Sequence, residues 1–207
     1  MQITDLQYFP KILYIIALVK AQSVLITGDW GYQKSSYLNK MELPGSNGIV
    51  KLSIPIKGGR SVKLPYKEVE IDHKTDWQTN HLRTISSIYG NAPFYPFYEN
   101  EIQNLYSTKV TNLFQWNLQC FDFFLRNAKM SNMVQYQVGR GDISPVSTEN
   151  LPYTLDNHSF PIYHQVFADR TGFISNMSCL DLLMNLGPDT ASYMNDCLNK
   201  LPWISVV

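Results

Sequence analysis

A run of eight apolar residues, Ile12 to Val19, constrains the fold of this chain more than any other feature. It follows Pro10, which suits the first turn of a helix because an N–H there would have no partner. The pattern predicts a buried helix that runs to about Lys20. Met1–Leu6 before it and Ser23–Thr27 after it are apolar and typical of strands. We therefore expect a strand–helix–strand (βαβ) unit with a right-handed crossover, and an α/β or α+β fold.

Polar segments follow both predicted strands, and this topology brings them to one edge of the sheet. Gln7–Pro10 follows the first strand and Gly28–Asn39 follows the second. Ligands of parallel sheets bind outside the carboxyl ends of the strands. The side chains of these segments are therefore the first candidates for substrate binding. They are Gln7, Tyr32, Lys34, Ser36, Tyr37 and Asn39.

The chemistry of this loop suits a polar or anionic ligand. Lys34 can bind a phosphate or a carboxylate as a point charge. Tyr32 and Tyr37 can stack on a sugar or a base. An ordinary solvent-exposed loop can have the same composition, so the residues leave both interpretations open.

The rest of the chain predicts a small mixed sheet and several helices. Tyr37–Leu43 and Ile49–Ile56 form a predicted hairpin across a turn rich in Pro, Gly and Asn. Helices are predicted over 77–89, 93–106 and 112–127, and two more begin at Ser178 and Pro188. The remaining predictions are a short strand at 69–71, a strand over 133–138, a long polar loop of the lid type over 139–158, and a short strand or extended run over 163–167. We expect one domain, 1–207, with an α/β part (1–72), a helical block (73–130) and C-terminal strands and helices (131–207).

Composition excludes several classes of function. The 17 basic and 17 acidic residues cancel, so no strong field attracts nucleic acid or an acidic membrane. The apolar run is far shorter than the roughly 20 residues that span a bilayer, and we expect a cytoplasmic protein. Cys120, Cys179 and Cys197 are far apart, which argues against a disulfide framework or a zinc site. The chain contains neither a phosphate-binding loop nor a metalloprotease motif, so the cofactor is unknown and no metal is indicated.

His81 has the clearest functional interpretation among the four histidines. It lies on the first turn of a helix predicted from Trp77, after Asp76 as the N-cap. A helix N-terminus favours a neutral imidazole and an anionic ligand. We predict that His81 is a catalytic base and that Lys34 is the second catalytic residue. The alternative is a half-buried histidine bonded to the backbone.

Several short motifs, in the right order along most of the chain, resemble the WbqC-like family in its Bacteroidetes form. The motifs are Y-F-P at 8–10, Y-x-K-x-S-Y-x-N at 32–39, L-S-I-P at 52–55, W-x-x-x-H at 77–81, A-P-F at 92–94, Y-x-Q-V-F at 163–167, G-F-x-x-N-x-S at 172–178, D-L-L at 181–183 and N-x-G-P at 185–188. The resemblance implies a bacterial protein linked to the synthesis of surface polysaccharide such as O-antigen. It also adds Asn176 to the candidate substrate-binding residues.

This chain departs from the family pattern at three positions. The family has arginine on both sides of Asn39, where this chain has Leu38 and Lys40. A planar clamp for carboxylate or phosphate is thereby reduced to a single point charge. The tryptophan that follows the family histidine is Leu82 here. A catalytic role of those residues would be weakened or altered in this protein.

Two hypotheses of function follow. The first is a transferase that acts on a nucleotide-sugar, or on an activated acyl or amino group, during glycan assembly. The second is a non-catalytic accessory protein of a glycan-synthesis complex. The aromatic side chains from Phe94 to Tyr106 would then be exposed, whereas we predict that they form core. The oligomeric state is not indicated.

Overall fold

The predicted βαβ unit is present in the structure, a computed structural model that describes residues 2–21, 23–33, 36–59, 62–140 and 160–200. Strands β1 (Gln2–Thr4) and β2 (Ser23–Ile26) are parallel neighbours, with Thr4 opposite Ile26. Helix α1 (Ile12–Ala21) connects them. Strand β5 (Gln135–Val138) pairs with the other edge of β2, also in parallel. The carboxyl ends of all three strands therefore lie at one edge of this sheet.

Helix α1 is the central element of the N-terminal part. Every side chain from Ile12 to Val19 is buried, as expected of a helix that is apolar on all sides. Its first turn abuts a distant part of the chain. The Ile12 N–H donates to the carbonyl of Met177, and Cys179 N–H donates to the carbonyl of Pro10.

The predicted hairpin is formed by a second, antiparallel sheet. Strands β3 (Lys40–Gly45) and β4 (Gly48–Ser53) pair from Lys40–Ser53 to Gly45–Gly48. The first strand begins three residues later than predicted, because Tyr37–Asn39 form a 3-10 turn instead. Ser36 caps this turn, since its Oγ accepts a hydrogen bond from the Leu38 N–H at 3.4 Å.

The three predicted helices of the middle block are confirmed. They are α2 (Trp77–Tyr89), α3 (Tyr95–Ser107) and α4 (Leu113–Asn127). Asp76 and Asn112 cap α2 and α4 through their side-chain oxygens. The aromatic side chains of α3 form core, as predicted: Tyr95, Tyr98 and Tyr106 are buried and Phe97 alone among them is exposed.

The C-terminal part is helical. Helices α5 (Ala168–Thr171), α6 (Cys179–Leu186) and α7 (Thr190–Lys200) follow one another. Residues 163–167 form no strand: 163–165 have no regular secondary structure, and 166–167 lie in a turn. The short strand predicted at 69–71 is reduced to isolated bridges of Glu70 and Ile71. Most of the predicted lid, 141–158, lies outside the described residues. Among the helices that the structure describes, none has the length and apolarity needed to cross a membrane.

Candidate functional site at the carboxyl ends of the strands

The two polar segments after β1 and β2 meet as the topology predicted. The Tyr8 N–H donates to the carbonyl of Tyr37 at 3.0 Å. Next to this contact is a cleft of about 20 Å³. Its described lining comes from the ends of both strands and from the segments around them: Asp5, Thr27, Gly28, Trp30, Gly31, Gln33, Leu38 and Tyr66.

The outer wall of the cleft is held by backbone pairing with a later segment. The Tyr32 N–H donates to Leu64 O, Tyr66 N–H to Trp30 O and Lys67 N–H to Gly28 O, at 2.7–2.9 Å. A Cβ on Gly28 would lie 2.8 Å from the backbone nitrogen of Lys67, so the close approach of these two backbone segments requires glycine. The Lys67 ammonium also binds the Asp29 carboxylate at 2.5 Å.

The predicted loop residues are less exposed than a solvent loop would be. Tyr32 and Ser36 are buried, and burial raises the pKa of Tyr32 to about 12. The Tyr37 ring lies 4.6 Å beneath the ammonium of Lys11, a cation–π contact. Lys34 lies outside the described residues.

Gln7 and Asn39 are buried behind the cleft. Asn39 exchanges two contacts with Ile54: its Nδ2 donates to the Ile54 carbonyl at 2.8 Å, and its carbonyl accepts from the Ile54 N–H. Asn117, on α4, joins the backbones beside both residues, since its Nδ2 lies 3.1 Å from Leu6 O and 2.6 Å from Leu38 O. Asn117 was not among the residues predicted from the sequence. Its position on the buried face of α4, between Leu113 and Cys120, is the only local signal of its role.

His81 is brought into the same region by an aromatic cluster. Its Nδ1 lies 3.1 Å from the hydroxyl of Tyr8, which also shares a hydrogen bond with the hydroxyl of Tyr106. The Trp77 ring packs edge-on against the imidazole at 5.1 Å between centroids. Tyr8 adjoins Gln7, and His81 also bonds to the backbone of Ser53, the neighbour of Ile54. The structure thus gathers Gln7, Asn39 and His81 around shared backbone segments.

Burial fixes the protonation state of His81. Desolvation lowers its pKa to about 4, although the hydrogen bond to Ser53 opposes the shift, so the imidazole is neutral near pH 7. The Nδ1 atom lies within hydrogen-bond distance of the Tyr8 hydroxyl, and the tautomer of the imidazole sets which of the two donates. Whether His81 is the catalytic base stays a prediction.

Asn176 caps helix α1. Its Oδ1 accepts a hydrogen bond from the Leu13 N–H at 2.9 Å, one of the N–H groups that a helix start leaves unpaired. Asn176 has φ 52° and the buried Phe9 has φ 39°, a rare backbone conformation for such residues. Ser178 stabilises the junction between the start of α1 and the segment around Asn176, because its Oγ donates to the Phe9 carbonyl at 2.9 Å. The predicted role of Asn176 in substrate binding is untested, but its oxygen already has a structural use.

We expect Asn176→Ala to lower the free energy of unfolding by about 2 kcal/mol, from the lost cap and the strained backbone. Asn176→Asp keeps the oxygen and places a negative charge at a helix start, so its stability should stay within about 0.5 kcal/mol of wild type. Urea unfolding measures both, with the exposed Asn195→Ala as the control. Equal losses in the two variants would contradict the capping role.

An ion cluster borders the junction. The buried Glu42 carboxylate binds the ammonium groups of Lys11 at 2.6 Å and Lys51 at 3.0 Å. Burial alone would raise the pKa of Glu42, but the two lysines outweigh it and hold the pKa below its usual range. Glu42 is therefore ionised, and it positions Lys11 over Tyr37. This ion cluster was not predicted from the sequence.

The site shows no metal-binding character in the part of the chain that the structure describes. No three His, Cys, Asp or Glu side chains there are grouped so that they could hold an ion. The three cysteines are buried and unbridged, and burial raises the pKa of each thiol. A raised pKa disfavours the thiolate, so burial makes these thiols poor nucleophiles.

A comparison of the sequence with known protein families shows to which family the chain belongs. The model of the WbqC-like protein family matches residues 6–141, more than half of the chain. The chain belongs to the WbqC-like protein family. No curated protein and no solved structure shows a significant match. The matched region contains Gln7, Tyr32, Asn39 and His81 of this WbqC-like chain, together with Asn117. Asn176 lies beyond it.

Proposed function

We propose that this WbqC-like protein is a transferase of bacterial surface-polysaccharide synthesis, acting on a nucleotide-sugar or on an activated acyl or amino group. One observation carries the proposal: a cleft opens at the carboxyl ends of β1 and β2, the favoured ligand position in a sheet of parallel strands. Activated sugars and acyl donors are cytoplasmic compounds, so the proposal includes a cytoplasmic location.

In this proposal the substrate lies on the cleft and on the loop that follows β2. The predicted substrate-binding residues are Gln7, Tyr32, Lys34, Ser36, Tyr37, Asn39 and Asn176, of which Gln7, Asn39 and Asn176 are buried and would hold the surrounding segments in place. Lys34 would supply a positive charge to an anionic group. Ser36 would act mainly through the turn that it caps, because that turn sets the position of Tyr37 and Asn39.

His81 has two candidate roles. As a base it needs the neutral form, which burial enforces, and it would exchange Tyr8 or Ser53 for the substrate. A pKa of about 4 makes it a weak base near pH 7, where a base works best with a pKa close to the working pH. As a positioning residue it would hold Tyr8 and the end of β4 in place.

The accessory-protein hypothesis has less support from the packing. It would expose the aromatic side chains of α3 as a docking surface. Tyr95, Tyr98 and Tyr106 contribute to the core instead, and a single exposed ring, Phe97, does not make a surface patch.

A thermal-shift screen tests the proposal with nucleotide-sugars, acyl carriers and amino acids. One class should raise Tm, since a ligand at about 100 times its Kd adds about 2.7 kcal/mol. Lys34→Ala should abolish the shift, whereas Lys74→Ala, an exposed lysine on another loop, should retain it. A panel without any hit, or equal effects of both variants, would contradict the proposal. For His81→Gln, a lost kcat with unchanged KM supports the base role, and a raised KM supports positioning.

A further inference from the structure

A buried carboxylate outside the candidate site binds several side chains of the C-terminal part. Asp181 lies on α6 and is fully buried. The Tyr163 hydroxyl and Gln165 Nε2 both donate to its Oδ2, the amide at 2.9 Å. Asn185 Nδ2 donates to its Oδ1 at 3.0 Å. Such hydrogen bonds favour the charged form of a carboxyl group, which burial disfavours.

Two of these donors also fix the 163–178 segment, which runs from Tyr163 to the N-cap of α6. Gln165 closes a loop with the backbone of Ile174, since its Nε2 donates to the Ile174 carbonyl and its Oε1 accepts from the Ile174 N–H, both at 2.9 Å. The Tyr163 ring packs edge-on against Phe173 at 5.2 Å between centroids. The side chains that bind Asp181 thus set the path of the 163–178 segment.

The far end of this segment holds the start of α1. Asn176 Oδ1 accepts from the Leu13 N–H, and Ser178 Oγ donates to the Phe9 carbonyl, both at 2.9 Å. Phe9 has φ 39°, a conformation that a residue with a Cβ keeps only where the surrounding contacts impose it. We expect the backbone of Phe9 to relax when those contacts loosen.

Tyr8 connects Phe9 to the candidate site. Its hydroxyl lies 3.1 Å from His81 Nδ1, and its N–H donates to the carbonyl of Tyr37. A change in the backbone of Phe9 therefore displaces the Tyr8 hydroxyl relative to the imidazole. Printed side by side, these contacts form a continuous path from Asp181 to His81 through the 163–178 segment.

The hydrogen bonds of Asp181 depend on its charge. Both oxygens of the ionised carboxylate accept, whereas protonation gives one of them a proton that has to be donated. Oδ2 faces two donors and Oδ1 faces one, so a proton on either oxygen displaces a donor. Desolvation raises the pKa of Asp181 to about 6, which brings this change just below neutral pH.

The groups around Asp181 stay neutral over the same pH range. None of the ion pairs among the described residues includes Asp181. Burial raises the pKa of the thiols of Cys179 on α6 and of Cys120 on the adjacent α4. It also raises the pKa of the phenols that face Asp181 from α2, from the 163–178 segment and from α7: Tyr89, Tyr163 and Tyr193.

We propose that Asp181 is a pH-sensitive positioning residue: its ionised form holds the 163–178 segment, and through it the start of α1, so that Tyr8 lies against His81, and its protonation releases them. The proposal rests on the proposed function only in taking the region of Tyr8 and His81 as the site. Acidification would then alter the site from a distance, before His81 itself titrates.

A pH titration of the full chain by NMR, from about pH 7.5 to about pH 5, tests the inference without any ligand. The backbone N–H signals of Ile174 and Leu13 should shift with one common midpoint near pH 6. The imidazole nitrogen signals of His81 should shift with the same midpoint, well above the pKa of about 4 of His81 itself. Shifts at Ile174 and Leu13 without this transition at His81 would contradict the positioning role.

Variants identify the group that titrates. Asp181→Asn should abolish the common transition and hold the three signals near their acidic wild-type positions, because an amide resembles the protonated acid. His164→Gln should retain the transition, since His164 is exposed although it adjoins both donors. Tyr163→Phe should raise the midpoint by roughly one pH unit, because the ionised carboxylate loses a donor. This variant serves as the test if Asp181→Asn does not fold.

A transition that survives in Asp181→Asn, disappears in His164→Gln, or keeps its midpoint in Tyr163→Phe would overturn the inference. These outcomes are distinct from those that test the transferase. A thermal-shift screen without any hit contradicts the transferase and leaves the NMR transition unaffected. Signals that do not change between pH 7.5 and pH 5 overturn the role of Asp181 and leave the transferase proposal standing.

Discussion

Replacing Gly187 by alanine should lower the free energy of unfolding by about 4 kcal/mol, from two separable causes. Gly187 has φ 53° and ψ −126°, a combination that residues with a Cβ avoid. A Cβ there would also lie 2.3 Å from the Phe94 ring. The ring cannot clear it by moving only its tip, because the Cβ would be 2.6 Å from Phe94 Cγ as well.

Gly172→Ala is the matched control for the backbone cost. Gly172 also has a positive φ, 69°, but a Cβ there meets no atom within 4 Å. Urea unfolding should give about 2 kcal/mol for this control, and Gly187→Ala should exceed it by the cost of the clash. Adding Phe94→Ala should recover about 1–2 kcal/mol of the Gly187→Ala loss in a double-mutant cycle. Equal losses at the two glycines, or strict additivity with Phe94→Ala, would refute the packing argument.

The second large effect is on the pH dependence of stability, to which two buried groups make opposite contributions that nearly cancel. Asp181 is fully buried on α6, where it accepts hydrogen bonds from Tyr163, Gln165 and Asn185. Desolvation raises its pKa to about 6, although the hydrogen bonds oppose the shift. His81 has the opposite displacement, because its own burial lowers its pKa to about 4.

The signs follow from proton binding in the two states. Between about pH 4 and pH 6, Asp181 holds a proton in the folded state and not in the unfolded one, whose pKa is about 3.9. Its contribution therefore falls by roughly 3 kcal/mol as pH rises. In nearly the same window His81 holds a proton only when unfolded, below its usual pKa of about 6.5. Its contribution rises with pH by a similar amount, so the two slopes nearly cancel in the wild type.

Single substitutions should reveal each slope. In Asp181→Asn, stability should rise by roughly 3 kcal/mol from about pH 4 to pH 6.5, because the contribution of His81 is no longer offset by that of Asp181. In His81→Gln, stability should fall by a similar amount over about pH 4 to 6. Urea unfolding at intervals of pH measures the slopes, which do not depend on any uniform loss of stability. Parallel pH profiles for both variants and the wild type would rule out the assigned pKa shifts.

Local signals explain why most elements were predicted correctly. Asp76 and Asn112 cap α2 and α4 as their side-chain chemistry implies, whereas α1 begins at Ile12, two residues after the predicted Pro10. Residues 163–167 pair with no strand, and two of their side chains make hydrogen bonds within the protein. Tyr163 and Gln165 reach Asp181, and Gln165 also bonds twice to the backbone of Ile174. Periodicity carries no information about such contacts.

In the candidate site, too, local features were predictable and contacts between distant residues were not. The sequence placed His81 on the first helical turn after Asp76, and it brought the loops after β1 and β2 together through the βαβ topology. The hydrogen bonds that Tyr8 makes with His81 and with Tyr106 were not predictable, since the residues of each pair lie far apart along the chain. The role of Asn117 was not predictable either, because it depends on contacts with Leu6 and Leu38 that the sequence of the helix does not indicate.

By itself, the sequence determined the βαβ unit, the three-helix block, the family motifs and the edge of the sheet where the two polar segments meet. These follow from apolar periodicity, from capping residues and from the rule that parallel strands end at one edge. Only the tertiary structure decided that His81 is buried and neutral beside Tyr8, and that Asn176 caps α1. Burial and hydrogen-bond direction set these properties, and both depend on residues that are distant in sequence and adjacent only in the fold.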